Sequence, residues 1–462
     1  FARRTGLPAG QRELWWVDAQ ASAVAEMAAA VNVSHAMALH QTHRGVALRD
    51  RLPQVGALFE QGLISDLLVR TIVWRTYLID DAEAMTKVDG ALAERITRWG
   101  GLSIAKTQDA IDALVDEHDP GALRRSRQSQ SDPPVEFGSP ADVAGTTSMW
   151  ARLHSANAAL IEHSVEELAR SVCEADPRSI NHRRADALTA AVTHTAMVCG
   201  CGQPDCGGPA GDRPAKNAIV YAVADQKSVD VATTAQTPAE AETAAPAGPV
   251  NAADEPGGDA PESAHNGHDV TAAPAACSAP PAYVFGAGIL PTALLGAIVE
   301  RATIRPVRHP GDSTAPESRY TPSRQMGEFV RCRDLTCRFP GCDKPAQFCD
   351  IDHTVAYPVG PTHPSNLKCL CRFHHLLKTF WNGPKGWRDR QLPDGTVIWT
   401  APTGHTYTTY PGSRHLFPQL CAPTATLWTG QPPEVEPAQG RGAMMPKRRH
   451  TRAHTTAKAK AA

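Results

Sequence analysis

The sequence predicts an α+β protein: a mostly helical N-terminal domain with a small β element, then a small C-terminal domain built around metal. Three observations carry this. Apolar residues recur at helical spacing through most of the first 200 residues. Two short stretches rich in Val, Ile and aromatics flank an acidic Ala/Pro segment. Paired Cys and His residues crowd into residues 321–410.

Leu14, Val17, Ala21, Val24, Met27, Ala28 and Val31 mark the first helical face, and similar stripes run from Leu52 to Trp74 and from Leu102 to Val115. Gly62, inside "FEQGLISDLLVRTIVWRT", separates two helical runs. A plain helical hairpin is the commoner meaning of such a break, and a DNA-reading helix-turn-helix is the alternative. A further run from about 155 to 198 is expected to break near Pro177. This helical domain, of unknown function, is assigned to residues 1–225.

Residues 217–224 and 283–291 read as strands. Residues 226–281 hold almost no large apolar side chain, so they are expected to form a disordered insertion. Long surface insertions cost little loop entropy, so the flanking strands can pair across this one. "FGAGIL" has two Gly and no Lys, which argues against a phosphate loop. A helix at about 292–303 and a polar loop to Pro322 complete a 282–320 continuation of the first domain.

At 462 residues the chain exceeds what one core usually serves, so two or more units are expected. Net charge is only −2, but nine acids and one Lys fall in 225–280 and seven Lys/Arg with no acid in 440–462. Residues 411–462 are therefore expected to form a Pro-rich, then basic, disordered tail. No apolar run reaches the roughly 18 residues of a membrane span. The N-terminus lacks an apolar leader, so a cytoplasmic setting is expected, with the 12 Cys as thiols or metal ligands. The chain opens on Phe1 rather than Met, which allows for a preceding piece.

The informative stretch is 321–410. Cys337 and Cys342 bracket a Pro-Gly turn, and Cys371 and His374 stand three residues apart. Two such pairs make a tetrahedral zinc site of three cysteines and one histidine. Cys332 lacks a turn between itself and Cys337, and Cys369 falls about 140° off the face of His374 at 100° per residue. His375 lies about 100° further round than His374, so it should point away from the zinc. Its expected destination is Asp352-His353, with Asn366 opening the helix between them. In a regular strand Asp352 and His353 face opposite sides, so both reach one site only if the strand frays. Asp350 shares the face of Asp352 and is a candidate support for it.

Asp352-His353, Asn366 and His375, framed by Cys337/Cys342 and Cys371/His374, resemble the HNH nuclease signature. That resemblance implies a ββα-metal domain in which His353 is the general base and Asp352 and His375 hold a catalytic divalent ion, Mg2+ or Mn2+. Asn366 would pin the loop that orients His353 or lend a ligand oxygen; an N-cap role is the alternative. Many zinc-stapled relatives carry Cys where this chain has His374, and both are acceptable zinc ligands. "CRFPGC", "DIDHTVAYP", "THPSNLKCLCRFHHLLKT" and "DGTVIWTAPTGHTY" also make the whole chain similar to the actinobacterial thirteen-E-twelve repeat proteins. Those have a helical domain of unknown function followed by an HNH domain.

The implied activity is metal-dependent endonucleolytic hydrolysis of double-stranded DNA. Lys368, Arg372 and Lys378, on or beside the last helix, are candidate phosphate contacts. The 321–400 stretch carries 11 Lys/Arg against seven acids, and Lys447–Arg452 could add sequence-independent phosphate binding. The alternative is a catalytically idle, zinc-stapled nucleic-acid-binding protein. Finally, Cys199, Cys201 and Cys206 form a second cluster in a Gly/Pro loop. They either hold another zinc, with His194 as a possible fourth ligand, or stay reduced thiols.

Overall fold

A computed structural model describes residues 13–99, 102–120, 122, 135–138, 146–151, 153, 155–203, 206, 220–234, 279–299, 302–381, 386–433, 445–452 and 454–455. The chain divides into two compact units, one of residues 1–139, 148–220 and 307–462 and the other of 140–147 and 221–306. The helical segment and the Cys/His-rich segment thus share one unit, where separate domains were expected. Among the described residues no helix is long and apolar enough to cross a membrane.

The larger unit begins with α1 (Ala19–Val31), α2 (His35–Asp50), α3 (Pro53–Glu60), α4 (Asp66–Arg75), α5 (Ala82–Arg95) and α6 (Ile104–His118). All but α3 start after a Ser or Asp whose side chain accepts a first-turn N–H. For α3 the cap comes from elsewhere: buried Asp89 of α5 accepts from Gln54 N at 2.9 Å and Val55 N at 3.0 Å. Gly62, at φ +72°, turns the chain between α3 and α4. Leu52, Val55, Ile72, Val88, Leu92, Ile111 and Val115 form the core of this bundle.

A small hairpin, β1 (Val135–Phe137) with β2 (Met149–Ala151), precedes α7 (Ser155–Arg170) and α8 (Ile180–Thr193). The expected break around Pro177 is present between α7 and α8. Their shared core is small: Ala169, Val172, Ala187, Ala190 and Met197.

The second unit holds β3 (Ala222–Val223), β4 (Ala282–Val284) and β5 (Gly288–Leu290), an antiparallel sheet in that order. Ala222 pairs with Val284 and Val223 with Tyr283, so strands from either side of the acidic segment do meet. The segment expected to be disordered nonetheless opens with α9 (Gln226–Thr234). Asp225 accepts from Lys227 N at 3.0 Å, and buried Ala232 packs with Ala282 and with Leu295 of α10 (Thr292–Val299). One apolar edge and a start signal suffice there. The remainder of that prediction, 235–278, lies outside the described residues.

The last third returns to the larger unit with α11 (Arg324–Asp334), the antiparallel pair β6 (Cys349–His353) and β7 (Leu367–Cys371), and α12 (Arg372–Phe380). A three-stranded antiparallel sheet follows, β8 (Arg388–Gln391), β9 (Val397–Thr400) and β10 (Thr406–Thr409), then the short α13 (Ser413–Leu416). Phe339, Trp387 and Trp399 pack edge-on against one another. Fully buried Arg333 donates to Asp334 Oδ1 at 2.8 Å and to the carbonyls of Pro364 (2.9 Å) and Leu367 (2.7 Å), tying α11 to β7.

The N-terminal helices close over this region. Trp15 meets Phe380 and Trp381 edge-on, Trp381 Nε1 donates to Val17 O at 2.9 Å, and Thr403 N donates to Glu26 Oε1 at 2.9 Å. Part of the expected tail also packs. Phe417, Leu420 and Met445 are buried, and Arg448 and Arg452 reach Asp18 Oδ2 at 2.8 and 2.6 Å. Those two arginines are thus engaged by a carboxylate at the start of α1.

Candidate metal centre and active site

Cys337, Cys342, Cys371 and His374 offer one ligand atom each, all within 4.8 Å of one another, a group that could hold a metal ion. Cys371 ends β7 and caps α12, so His374 stands one turn above it, and its Nδ1 lies 3.2 Å from Cys371 Sγ and 3.6 Å from Cys337 Sγ. Zn–S bonds near 2.3 Å imply S···S edges of about 3.8 Å in a tetrahedron, which this spacing suits. Cys371 N donates to Cys337 Sγ at 3.3 Å, and Phe339 stacks on the His374 ring at 3.9 Å. Gly341 carries φ +71°, and a Cβ there would fall 2.5 Å from Val33 O, so the turn between the first two thiols requires glycine. Hydrogen bonds with Cys337 and Cys342 pull the Cys371 thiol far below its ordinary range. Cys332 and Cys369 stay outside the cluster, and burial pushes both thiols up.

β6 runs regularly to His353, so the expected fraying is absent and Asp352 and His353 leave opposite sides of the strand. Asp352 pairs across the sheet with Lys368. Asp352 Oδ2 takes ammonium groups from Lys368 at 2.7 Å and Lys378 at 2.6 Å, while Oδ1 lies 3.5 Å from His375 Nε2. Burial opposes ionisation of Asp352, but Lys368, Lys378 and His375 outweigh it and hold the carboxyl well below its usual range. His375 Nδ1 in turn sits 2.9 Å from Asp350 Oδ2.

His353 Nε2 lies 2.9 Å from Thr362 Oγ1, whose single proton goes to the carbonyl of Arg319. Nε2 is therefore the donor, and neutral His353 keeps its lone pair on Nδ1. The ring stacks on Tyr320 at 5.2 Å. Burial, reinforced by Lys368, Lys378 and His375 against the opposing charge of Asp352, lowers its pKa from 6.5 to about 4.

Asn366 does not open α12. It precedes β7, and its side chain accepts from Val355 N at 2.8 Å and donates to the carbonyls of Val355 (3.0 Å) and Pro361 (2.9 Å). It clamps the loop that follows His353. Gly360 lies under this clamp, where a Cβ would meet Val355 O at 2.1 Å.

Two expected phosphate contacts are otherwise engaged. Lys368 is fully buried between Asp352 and Asp389, the latter at 2.6 Å, because its register position faces the packed side of the sheet. Lys378 donates to Asp352 Oδ2 and, at 2.6 Å, to His353 O. Arg372 alone of the three is exposed, 3.2 Å from Asp350 Oδ2.

The second thiol cluster gathers as well. Cys199, Cys201 and Cys206 come within 4.8 Å of one another and of Cys173, which supplies the fourth ligand atom in place of the exposed His194. Cys173 lies between α7 and α8, 26 residues upstream of Cys199, so no local spacing announced it. Asp389, Thr362 and Tyr320 were likewise invisible: each reaches the site from a different segment.

The comparisons agree with a shared architecture. The chain is 48% identical over 455 residues to the uncharacterized protein Rv2100 of Mycobacterium tuberculosis (strain ATCC 25618 / H37Rv), covering 98% of this chain and 80% of that protein. It is 46% identical over 456 residues to the uncharacterized protein Rv3776 of the same strain, covering 98% and 82%. A third relative from M. tuberculosis, named "Uncharacterized protein in est 3'region", is 39% identical over 331 residues, 71% of this chain and 87% of its own length. No solved structure matches. A family model described as "Domain of unknown function (DUF222)" matches residues 1–251, and with these relatives it shows that the chain belongs to the DUF222 family.

Proposed function

We propose that this protein is a metal-dependent HNH endonuclease that hydrolyses phosphodiester bonds of double-stranded DNA, as the resemblance to thirteen-E-twelve repeat proteins implies. The observation that carries the reading is the set of partners around His375. Asp350 takes its Nδ1–H, which leaves Nε2 facing Asp352 Oδ1, 3.5 Å away. A nitrogen and a carboxylate oxygen so placed can share either a proton or a cation, and carboxylate–imidazole support of this kind is the usual setting of a ligating histidine.

Asp352 and His375 would hold a divalent ion, Mg2+ or Mn2+, which would supply counter-charge for the phosphate and the leaving oxygen. His353, neutral at working pH and with Nδ1 free to accept, leaves the other side of β6 at the last residue of the strand, so it would serve as base for a water that reaches round that strand end. Thr362 and Tyr320 fix its ring, and Asn366 fixes the loop behind it. Lys378 holds Asp352 and the His353 carbonyl together. Arg372, exposed on the first turn of α12, meets substrate phosphate. Cys337, Cys342, Cys371 and His374 Nδ1 would hold a structural zinc that fastens β7 and α12 to the Cys337–Cys342 turn.

One observation favours a second reading, a catalytically idle nucleic-acid-binding protein: Lys368 and Lys378 already neutralise Asp352 without an ion. Nicking of supercoiled plasmid with Mg2+, Mn2+ or no metal separates the two. Metal-dependent nicking that vanishes in His353→Ala supports the enzyme; equal traces from both proteins under every metal leave only the idle reading.

A further inference from the structure

We propose that Cys173, Cys199, Cys201 and Cys206 hold a second structural zinc ion, one that the hairpin of α7 and α8 needs in order to fold. The proposal is independent of the nuclease reading, since none of these residues lies in the acid–histidine site.

Four observations support it. The four sulfurs lie within 4.8 Å of one another, with Cys173 Sγ and Cys199 Sγ 3.4 Å apart. That distance is too long for a disulfide, whose S–S bond is about 2.05 Å. It is also near a tetrahedral edge around one ion, whereas an iron–sulfur cluster would force the ligands further apart. Four thiolates close the coordination shell, which is the pattern of structural rather than catalytic zinc.

Second, the loop that presents three of the thiols is held by groups other than sulfur. Buried Asp176 accepts from Gly200 N at 2.8 Å, and Arg178 donates to Asp176 and, at 2.7 Å, to Val198 O. Gly202, at φ +67°, then turns the chain between Cys201 and Cys206. These contacts and the turn shape the ligand loop alongside the sulfurs.

Third, the hairpin's core is small among the described residues, even with Val165, Leu168 and Ile180 partly buried against it. Its buried core is three Ala, one Val and one Met, far less apolar surface than two helices of this length usually bury. Metal staples are the common remedy for so small a core. Fourth, the connectivity suits a staple: Cys173 sits between the helices and the other three follow α8, so one ion ties both ends of α8 together. Each thiol that binds releases a proton to solvent, and no electron transfer is involved.

The test uses the full chain, purified without chelator. Elemental analysis should find two zinc ions per chain in the wild type and one in either Cys201→Ser or Cys342→Ser. Zinc-edge absorption on the wild type should show more than three sulfurs per zinc, because a site of four cysteines averages with one of three cysteines and a histidine. A variant-free check covers misfolding. All four thiols are only half-buried, so they should resist alkylation in native protein and react once zinc is chelated. The proposal is overturned by a single zinc with three sulfurs that survives in Cys201→Ser, by iron in place of zinc, or by native protein in which these cysteines alkylate freely or form disulfides.

Discussion

His375 Nδ1 and Asp350 Oδ2 stand 2.9 Å apart between α12 and β6, and this contact fixes which ring nitrogen faces Asp352. Removing it should weaken the ion site without dismantling the fold. Asp350→Ala is expected to raise the Mn2+ concentration for half-maximal nicking by about 10- to 100-fold, and Asp350→Asn by less, since Oδ1 of Asn still accepts. A metal titration of nicking rate checks this; an unchanged midpoint would mean His375 holds no ion.

His353 carries a pH signature. Its pKa falls from 6.5 to about 4 on folding, so the unfolded chain binds the proton more readily. Stability should therefore be flat above pH 6.5 from this group and decline as pH drops from 6.5 toward 4. Urea midpoints across that window should slope less in His353→Gln than in the wild type. In the same window His353 stays in its proton-accepting form, so the acid limb of any nicking profile should not show an ordinary histidine midpoint.

Asn366 serves the loop rather than the helix, and its loss should show in stability as well as activity. Asn366→Ala strands two carbonyls and one N–H in a buried place, a cost of about 3 kcal/mol. Asn366→Asp keeps only the bond from Val355 N and should do little better. Thermal melts of the two variants would distinguish a clamp from a metal ligand, for which the Asp variant should retain function.

Lys368 and Arg372 should separate cleanly. Lys368→Met leaves buried Asp352 and Asp389 with Lys378 alone and is expected to cost about 3 kcal/mol. Arg372→Ala should leave stability within about 0.5 kcal/mol and reduce the salt slope of DNA binding by about one. Denaturant curves and binding at graded salt read both; a Lys368 variant that is stable but binds DNA poorly would reverse the assignment.

Much of the fold was legible because its signals are local. Helical stripes and the Gly62 break lie within a few residues of what they determine. The Cys337/Cys342 and Cys371/His374 pairs were legible for the same reason. Cys173, Asp389 and Thr362 were not, since each joins its site only through tertiary folding. Lys368 was expected on or beside the last helix, whereas it lies in β7, where the register opposite Asp352 buries it. Asn366 was misplaced because a five-residue strand, β7, intervenes before α12.

The docking of Trp15 on Phe380 and Trp381 has a consequence for anyone cutting this protein apart. Residues 321–410 are not a portable cassette. Excised, they would lose the Val17 carbonyl that accepts from the Trp381 indole, the Glu26 carboxylate under Thr403, and the Val33 backbone packed against Gly341. The Cys337–Cys342 turn would then face water on a surface shaped to meet another. A graft into a foreign host must bring Trp15–Val33 along.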